Sequence, residues 1–226
     1  MAIYRSTHGI WLICGDTHRT KWVEEAGTLN IDSLIDLICQ YIHPGDTVID
    51  VGANIGDHTY FYRKKAEGGR VIAFEPDHEA FACLLLNCGW CEDFHQEGVG
   101  HQNSFGEMVR HPNSGQNYLI LGAGETPVRT IDSLDLDQCN LIKIDVEGAE
   151  LLVLKGAEKT IRKFRPILVV EIIVQQLARY NSDKNSLIEL LRSFGYDDIR
   201  PLRSTESLSG DRVDVICFPS SGSTLK

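Results

Sequence analysis

Apolar residues along this chain follow two periods. Continuous aliphatic runs such as Val71-Ile72-Ala73-Phe74, Leu141-Ile142-Lys143-Ile144 and Ile167-Leu168-Val169-Val170 have the length and branching of buried strands. Between them, apolar positions recur at helical spacing. The pattern predicts a strand over 46–51, a helix over about 55–66, a strand over 70–75, a helix over about 77–90 and a strand near 94–99. Short β segments near 105–110, 117–121 and 127–131 come next. A strand over 140–145, a helix over about 149–163, a strand over 167–172, a helix over about 183–194 and closing strands near 197–202 and 212–218 complete the series. Strands separated by helices of this length imply right-handed crossovers and a mostly parallel sheet covered on both faces. With no helix between them, the last two strands place the final one antiparallel, at or near the edge.

Ahead of this series, Gly9–Cys14 and Thr20–Val23 flank Gly15-Asp16, which predicts a hairpin. Ile31, Leu34, Ile35, Ile38 and Ile42 then fall on one helical face, with Asn30 or Asp32 as cap and Pro44-Gly45 as stop. The expected organisation is an N-terminal lid or platform over 1–45, one α/β domain over 46–219 and a frayed tail over 220–226.

Composition narrows the partners. The formal net charge of −10 disfavours a nucleic-acid backbone, which calls for a basic stripe, and suits a small molecule. No secretory leader pattern and no run of roughly 18 apolar residues is seen, so the expectation is a cytoplasmic chain without a membrane span. Seven cysteines, an odd number, favour reduced thiols. Cys83, Cys88, Cys91 and His95 lie close together, but the first two fall on the apolar face of a predicted helix, where cysteine packs as a small hydrophobe, and no second C-x-x-C completes a zinc set.

The densest signal is Val48 through Thr59, where a strand passes through a small-residue turn into a helix. In an α/β sheet that junction presents backbone N–H groups and a positive helix end to a ligand beyond the strand tips. Glu75, closing the next strand, can accept two hydrogen bonds from a ribose diol. Asn54 stands where a dinucleotide fingerprint needs its middle glycine, and no Lys-Ser or Lys-Thr follows, which disfavours NAD and a P-loop. Asp50 at the strand's tail repels phosphate but suits an amino-acid moiety. An adenosine with a cationic amino-acid tail is S-adenosylmethionine.

Asp50-Val51-Gly52-Ala53-Asn54-Ile55-Gly56, followed by Asp57 and His58, resembles the glycine-rich motif of class I S-adenosylmethionine-dependent methyltransferases, in the form used by the FkbM family. Thr130-Ile131-Asp132-Ser133-Leu134 and Leu141-Ile142-Lys143-Ile144-Asp145-Val146-Glu147-Gly148-Ala149-Glu150 are similar to that family as well. The resemblance implies a Rossmann-like class I methyltransferase fold with a seven-stranded sheet, S-adenosylmethionine as cofactor and S-adenosylhomocysteine as product. It implies that Gly52, Ala53, Asn54 and Gly56 line the methionine part, with Asp50, Val51, Asp57 and His58 flanking them. Glu75 would hold the ribose, Pro76 and Asp77 the adenine border, and Gly98, Val99 and Gly100 the base edge. It further implies O-methylation of a hydroxyl on a small carbohydrate or natural product.

Methyl transfer to an alcohol needs the nucleophile aligned and its proton removed. Asp145, Lys143, Glu147, Glu171 and His58 are the candidates. Asp145 leads, as base, substrate anchor or cofactor-ammonium partner. Lys143 lies on the same strand and either pairs with a carboxylate structurally or acts directly. Glu150 fits a helix-dipole role. Asp145 and Glu171 could share a divalent cation, but two ligands do not define a metal site. The polar insertion with His101, His111, Asn113, Asn117 and Tyr118, together with the N-terminal part, is the expected seat of acceptor choice. Two other readings are an NAD-dependent oxidoreductase or epimerase and a non-catalytic nucleoside-binding domain.

Overall fold

The computed structural model describes residues 2–6, 9–13 and 33–220. Strands β1 (Ala2–Ser6) and β2 (Gly9–Ile13) pair antiparallel, with Ala2 opposite Ile13. Gly9–Ile13 therefore finds its hairpin partner before it in the chain. The expected Gly15-Asp16 turn and Thr20–Val23 arm lie outside the described residues, as do the caps Asn30 and Asp32 and the tail from 221 to 226. Ser220, counted with that tail, bonds through its Oγ to Gly195 O at 2.9 Å. Helix α1 (Ser33–Cys39) follows, burying Leu34, Ile35 and Ile38.

From there the chain runs β3 (Thr47–Val51), α2 (Asp57–Lys65), β4 (Arg70–Phe74), α3 (His78–Cys88), β5 (Phe94–His95) and β6 (Gly98–Val99). Next come β7 (Ser104–Val109), β8 (Tyr118–Leu121), β9 (Thr126–Arg129), β10 (Leu141–Ile144), α4 (Glu150–Lys155) and α5 (Glu158–Phe164). The chain closes with β11 (Ile167–Ile173), α6 (Val174–Leu177), α7 (Lys184–Ser193), β12 (Asp198–Pro201) and β13 (Arg212–Phe218). No described helix is long and apolar enough to cross a membrane.

Seven strands form the main sheet in the order β12-β13-β11-β10-β3-β4-β5. All neighbours are parallel except β13, which is antiparallel to both β11 and β12 and sits one place in from the edge. Every residue of β3 and β10 is buried, including the polar Thr47, Asp50 and Lys143 among their apolar neighbours. Strand alternation sends Ile49, Ile142, Leu168 and Val215 into a core under α4, α5 and α7, and Val48, Leu141, Val169 and Ile216 into one under α1 and α2.

Two expected elements are divided. The strand near 94–99 gives β5 to the main sheet, while β6 leaves to pair in parallel with β9 in a second sheet of order β6-β9-β7-β8. The helix over 149–163 breaks at Gly156. A Cβ there would stand 2.0 Å from Gly100 O, so the chain can pass this point only as glycine, and α4 ends against it.

Candidate functional site

Strand alternation and register assemble the site. Lys143 on β10 lies opposite Asp50 on β3, and Glu171 on β11 lies opposite Asp214 on β13. Their parity matches Val48, Leu141, Val169 and Ile216, so all four share the α1/α2 face at the carboxyl edge of the parallel strands. A cleft of about 400 Å³ opens there, within the size range of small-molecule sites.

The floor begins with the turn after β3. Gly52 has φ +84°, and a Cβ on it would stand 1.8 Å from Asp145 O, so this position requires glycine. The bare backbone lets the turn close on the end of β10. Asn54 takes a left-handed φ of 49°, which asparagine tolerates. Its N–H donates to Glu75 Oε2 at 2.8 Å, and Asp77 N donates to Glu75 Oε1 at 2.8 Å. Glu75 is thus fixed by two backbone donors while it lines the cleft beside Phe74, Pro76, Gly98 and Val99.

At the far end Lys143 is 5% exposed. Its Nζ lies 3.2 Å from Asp145 Oδ2 and 3.6 Å from Asp50 Oδ1, and donates to Gly52 O at 3.3 Å. Burial opposes its charge, but the two carboxylates outweigh that and hold the ammonium above its ordinary range. Burial likewise works against the charge on Asp145, whose side chain is 35% exposed in the cleft, yet Lys143 and a hydrogen bond from Glu171 bring its carboxyl below the usual value. Glu171 shifts the other way, well above its usual range, through burial and the neighbouring Asp145 and Asp214 charges. The two carboxyls share a hydrogen bond, and Asp145 is the more readily ionised of the pair. Arg212 Nη2 donates to Glu171 Oε1 at 2.9 Å, and Arg203 Nη1 pairs with Asp214 at 2.8 Å and Glu206 at 3.0 Å.

Glu147 sits on a strained step with φ 60°, just before Gly148 at φ 117°. Gln176 Nε2 donates to its carboxylate, and Arg179 donates to its carbonyl oxygen at 3.0 Å. Burial, with Asp145 and Glu150 nearby, pushes Glu147 up to about 8. Ligand oxygens of Asp145, Glu147 and Glu171 come within 4.8 Å of one another, a donor set suited to a hard cation, although each is already engaged by protein groups. His58 lines the cleft with its Nδ1 2.9 Å from Tyr62 Oη. Burial, then the Lys143 charge, lowers its pKa and keeps it neutral.

The cleft gathers Asp145, Lys143, Glu147, Glu171 and His58, with Val51, Gly52, Asn54, Asp57, Glu75, Pro76, Gly98 and Val99. Asp50, Ala53, Gly56, Asp77 and Gly100 stand behind its walls. Asp50 accepts from Thr59 Oγ1 at 2.6 Å, and Ala53 is buried. Gly56 faces Leu84 and Cys88, Asp77 caps α3 by accepting from Glu79 N and Ala80 N, and Gly100 packs under Val128 and Leu121. Glu150, in the first turn of α4, is buried and accepts from Gly148 N at 3.0 Å and Val146 N at 3.2 Å.

The β7–β8 end of the second sheet roofs the cleft with Asn113, Gln116, Asn117 and Tyr118. Two anchors pin it. Arg110 Nε meets Asp77 Oδ2 at 2.8 Å, and Tyr180 Oη donates to Leu119 O at 2.7 Å. His101 and His111 are exposed and stand outside the lining. Arg203, Arg212, Asp214 and Gln176 also line the cleft and were not expected. For Arg212 and Asp214 the available signal was the antiparallel direction of the last strand, which brings its first residues to the carboxyl edge of the others.

This sheet order, with its single antiparallel strand and ligand cleft at the carboxyl edge, defines a Rossmann-like methyltransferase fold. A TehB-like SAM-dependent methyltransferase from Corynebacterium glutamicum superposes with TM-score 0.52 at 11% identity, covering 90% of this chain and 96% of that one. A methyltransferase FkbM from Methylobacillus flagellatus gives TM-score 0.50 at 22% identity, covering 77% of this chain and 44% of that one. The methyltransferase FkbM domain model matches residues 50–197, and the chain belongs to that family. The hexuronic acid methyltransferase AglP of Haloferax volcanii is 28% identical over 146 residues, 60% of each chain. The 2-O-methyltransferase NoeI of Sinorhizobium fredii is 24% identical over 178 residues, 67% of this chain and 73% of that one. The chain spans 60% of the length of AglP and of Methyltransferase 1 of Beauveria bassiana.

Proposed function

We propose that this chain binds S-adenosylmethionine and transfers its methyl group to a hydroxyl oxygen of a small, carbohydrate-like acceptor, with residues 46–219 as the catalytic unit and 1–45 as its platform. One observation carries this reading: the glycine turn, Glu75 and the Lys143-compensated Asp145 all face one cleft. The residues fit the cofactor. Gly52 lets the turn pack against the Asp145 backbone, so that its own backbone lines the cleft. Glu75, braced by the N–H groups of Asn54 and Asp77, retains lone pairs for a ribose diol. Pro76 and Val99 offer apolar surface for the base.

Bound S-adenosylmethionine would supply a methyl carbon made electrophilic by its sulfonium. Asp145 would take the hydroxyl proton of an acceptor held beside that carbon, the sulfur leaving as S-adenosylhomocysteine. Lys143 keeps Asp145 ionised for that task, and Glu171 fixes its orientation. The pinned roof limits water and holds the acceptor in line. The hexuronic acid named for one relative supports a sugar acceptor, and the 2-O position named for another supports transfer to oxygen.

Calorimetric titration with S-adenosylmethionine, S-adenosylhomocysteine and NAD tests the reading, and binding of NAD without either sulfur nucleoside would sink it. In a methyl-transfer assay over a sugar panel, Asp145→Asn should lower turnover by roughly 10²–10⁴-fold while S-adenosylhomocysteine still binds.

A further inference from the structure

His58 stands in the first turn of α2 and lines the cleft, and its two ring nitrogens meet different surroundings. Nδ1 lies 2.9 Å from Tyr62 Oη, one helical turn further on, with the rings edge to face at 83°. Nε2 bonds to none of the described residues and is the nitrogen left for the cleft. Tyr62 is 0% exposed, and burial keeps its hydroxyl protonated, so the phenolic hydrogen needs an acceptor inside the protein. Among the described residues His58 Nδ1 is the one acceptor bonded to Oη. The reverse arrangement, with Nδ1–H donating to Oη, would strand the hydroxyl hydrogen in the interior, where an unmade hydrogen bond is costly. With Nδ1 accepting, the neutral ring carries its hydrogen on Nε2. Burial and the Lys143 charge oppose a second proton.

From this geometry we infer that Tyr62 is a positioning residue that locks His58 in the Nε2–H form, and that this N–H donates to the carboxylate of the cofactor's amino-acid tail. The inference rests on the methyl-transfer reading above and adds two residues to its cofactor site. A ring locked this way has no lone pair to offer the cleft, so His58 leaves the set of candidate bases. Two observations direct the donor to the cofactor. His58 lies two residues past Gly56, beside the turn expected to line the methionine part, and it opens a nine-residue helix whose start favours negative charge. An N–H donor on the acceptor hydroxyl would instead occupy a lone pair that the attack on carbon requires.

The experiment uses the full chain labelled with 15N-histidine. Long-range 1H–15N correlation spectra read the tautomer, with the His58 signals identified by their loss in His58→Gln. Calorimetry reads affinity for S-adenosylhomocysteine and for its decarboxylated analogue, which keeps the amine and lacks the carboxylate. The expected spectrum shows the Nε2–H form in the parent and a mixture of both tautomers in Tyr62→Phe. His58→Ala should weaken S-adenosylhomocysteine by roughly tenfold or more and leave the decarboxylated analogue nearly unchanged, because a hydrogen bond to a charged group is lost in the first case alone. His58→Gln, whose amide N–H reaches about as far as Nε2, should restore most of that affinity. An Nδ1–H signal in the parent overturns the inference, and so does equal weakening of the two ligands by His58→Ala. If His58→Ala binds S-adenosylhomocysteine as the parent does, the inference falls and the cofactor reading stands. If the parent itself does not bind it, both fall.

Discussion

Replacing Glu150 with Gln should stabilise the protein in alkali and leave it unchanged in acid. Glu150 is 1% exposed; one carboxyl oxygen accepts from Gly148 N and Val146 N, and the other, Oε2, makes no hydrogen bond. Burial outweighs the two N–H donors and raises its pKa from 4.5 to about 7. The folded state therefore binds the proton more tightly than the unfolded chain, and stability falls as pH climbs from 4.5 through about 7. At about 1.4 kcal/mol per pKa unit, ionising the buried group costs about 3 kcal/mol. Gln mimics the neutral acid and keeps an oxygen for the two N–H groups, so Glu150→Gln should match the parent at pH near 4.5 and exceed it by about 3 kcal/mol at pH near 8.5. For a chain of this length that is a rise of roughly 6–12 °C in Tm. Denaturant unfolding of both proteins across this range measures the difference, in which the titrations of Glu147 and Asp214 cancel. A difference independent of pH would show that Glu150 ionises as it does in water and refute the reasoning.

Three further outcomes follow from the same geometry. Gly52→Ala places a Cβ 1.8 Å from Asp145 O at φ +84°, and should abolish S-adenosylhomocysteine binding by calorimetry and lower Tm. Lys143→Met leaves Asp50 and Asp145 uncompensated; it should cost about 3–5 kcal/mol in denaturant unfolding. It should also move the acid limb of the pH–rate profile upward, because Asp145 loses the cation that holds its pKa down. Tyr180→Phe removes the 2.7 Å bond to Leu119 O, and should cost about 1 kcal/mol and speed hydrogen exchange within Tyr118–Leu121.

The parallel sheet was legible because its strands are buried on both faces and read as aliphatic runs, and because Asp50, Glu75, Asp145 and Glu171 each stand at or near a strand end. What the sequence concealed was long-range. Gly156 interrupts a helix-like stretch because of Gly100, more than fifty residues earlier. Gly98-Val99 leaves the main sheet because β9 offers it a partner. The Gly9–Ile13 strand pairs with Ala2–Ser6, a segment whose pattern carries no hairpin signal of its own. Arg212 and Asp214 have no motif of their own; they reach the cleft because β13 runs opposite to its neighbours. Ala53, Gly56 and Gly100 belong to the motifs but serve packing, since small residues let backbones and helices approach as well as ligands.

The anchors of the roof lie outside the turn they support. Arg110 and Leu119 are tied to Asp77 and Tyr180, while the stretch from 113 to 117 between them faces the cleft. Because these two ties sit on either side of it, substitutions that alter only the side chains of Gln116 or Tyr118 should leave the register of Tyr118–Leu121 unchanged.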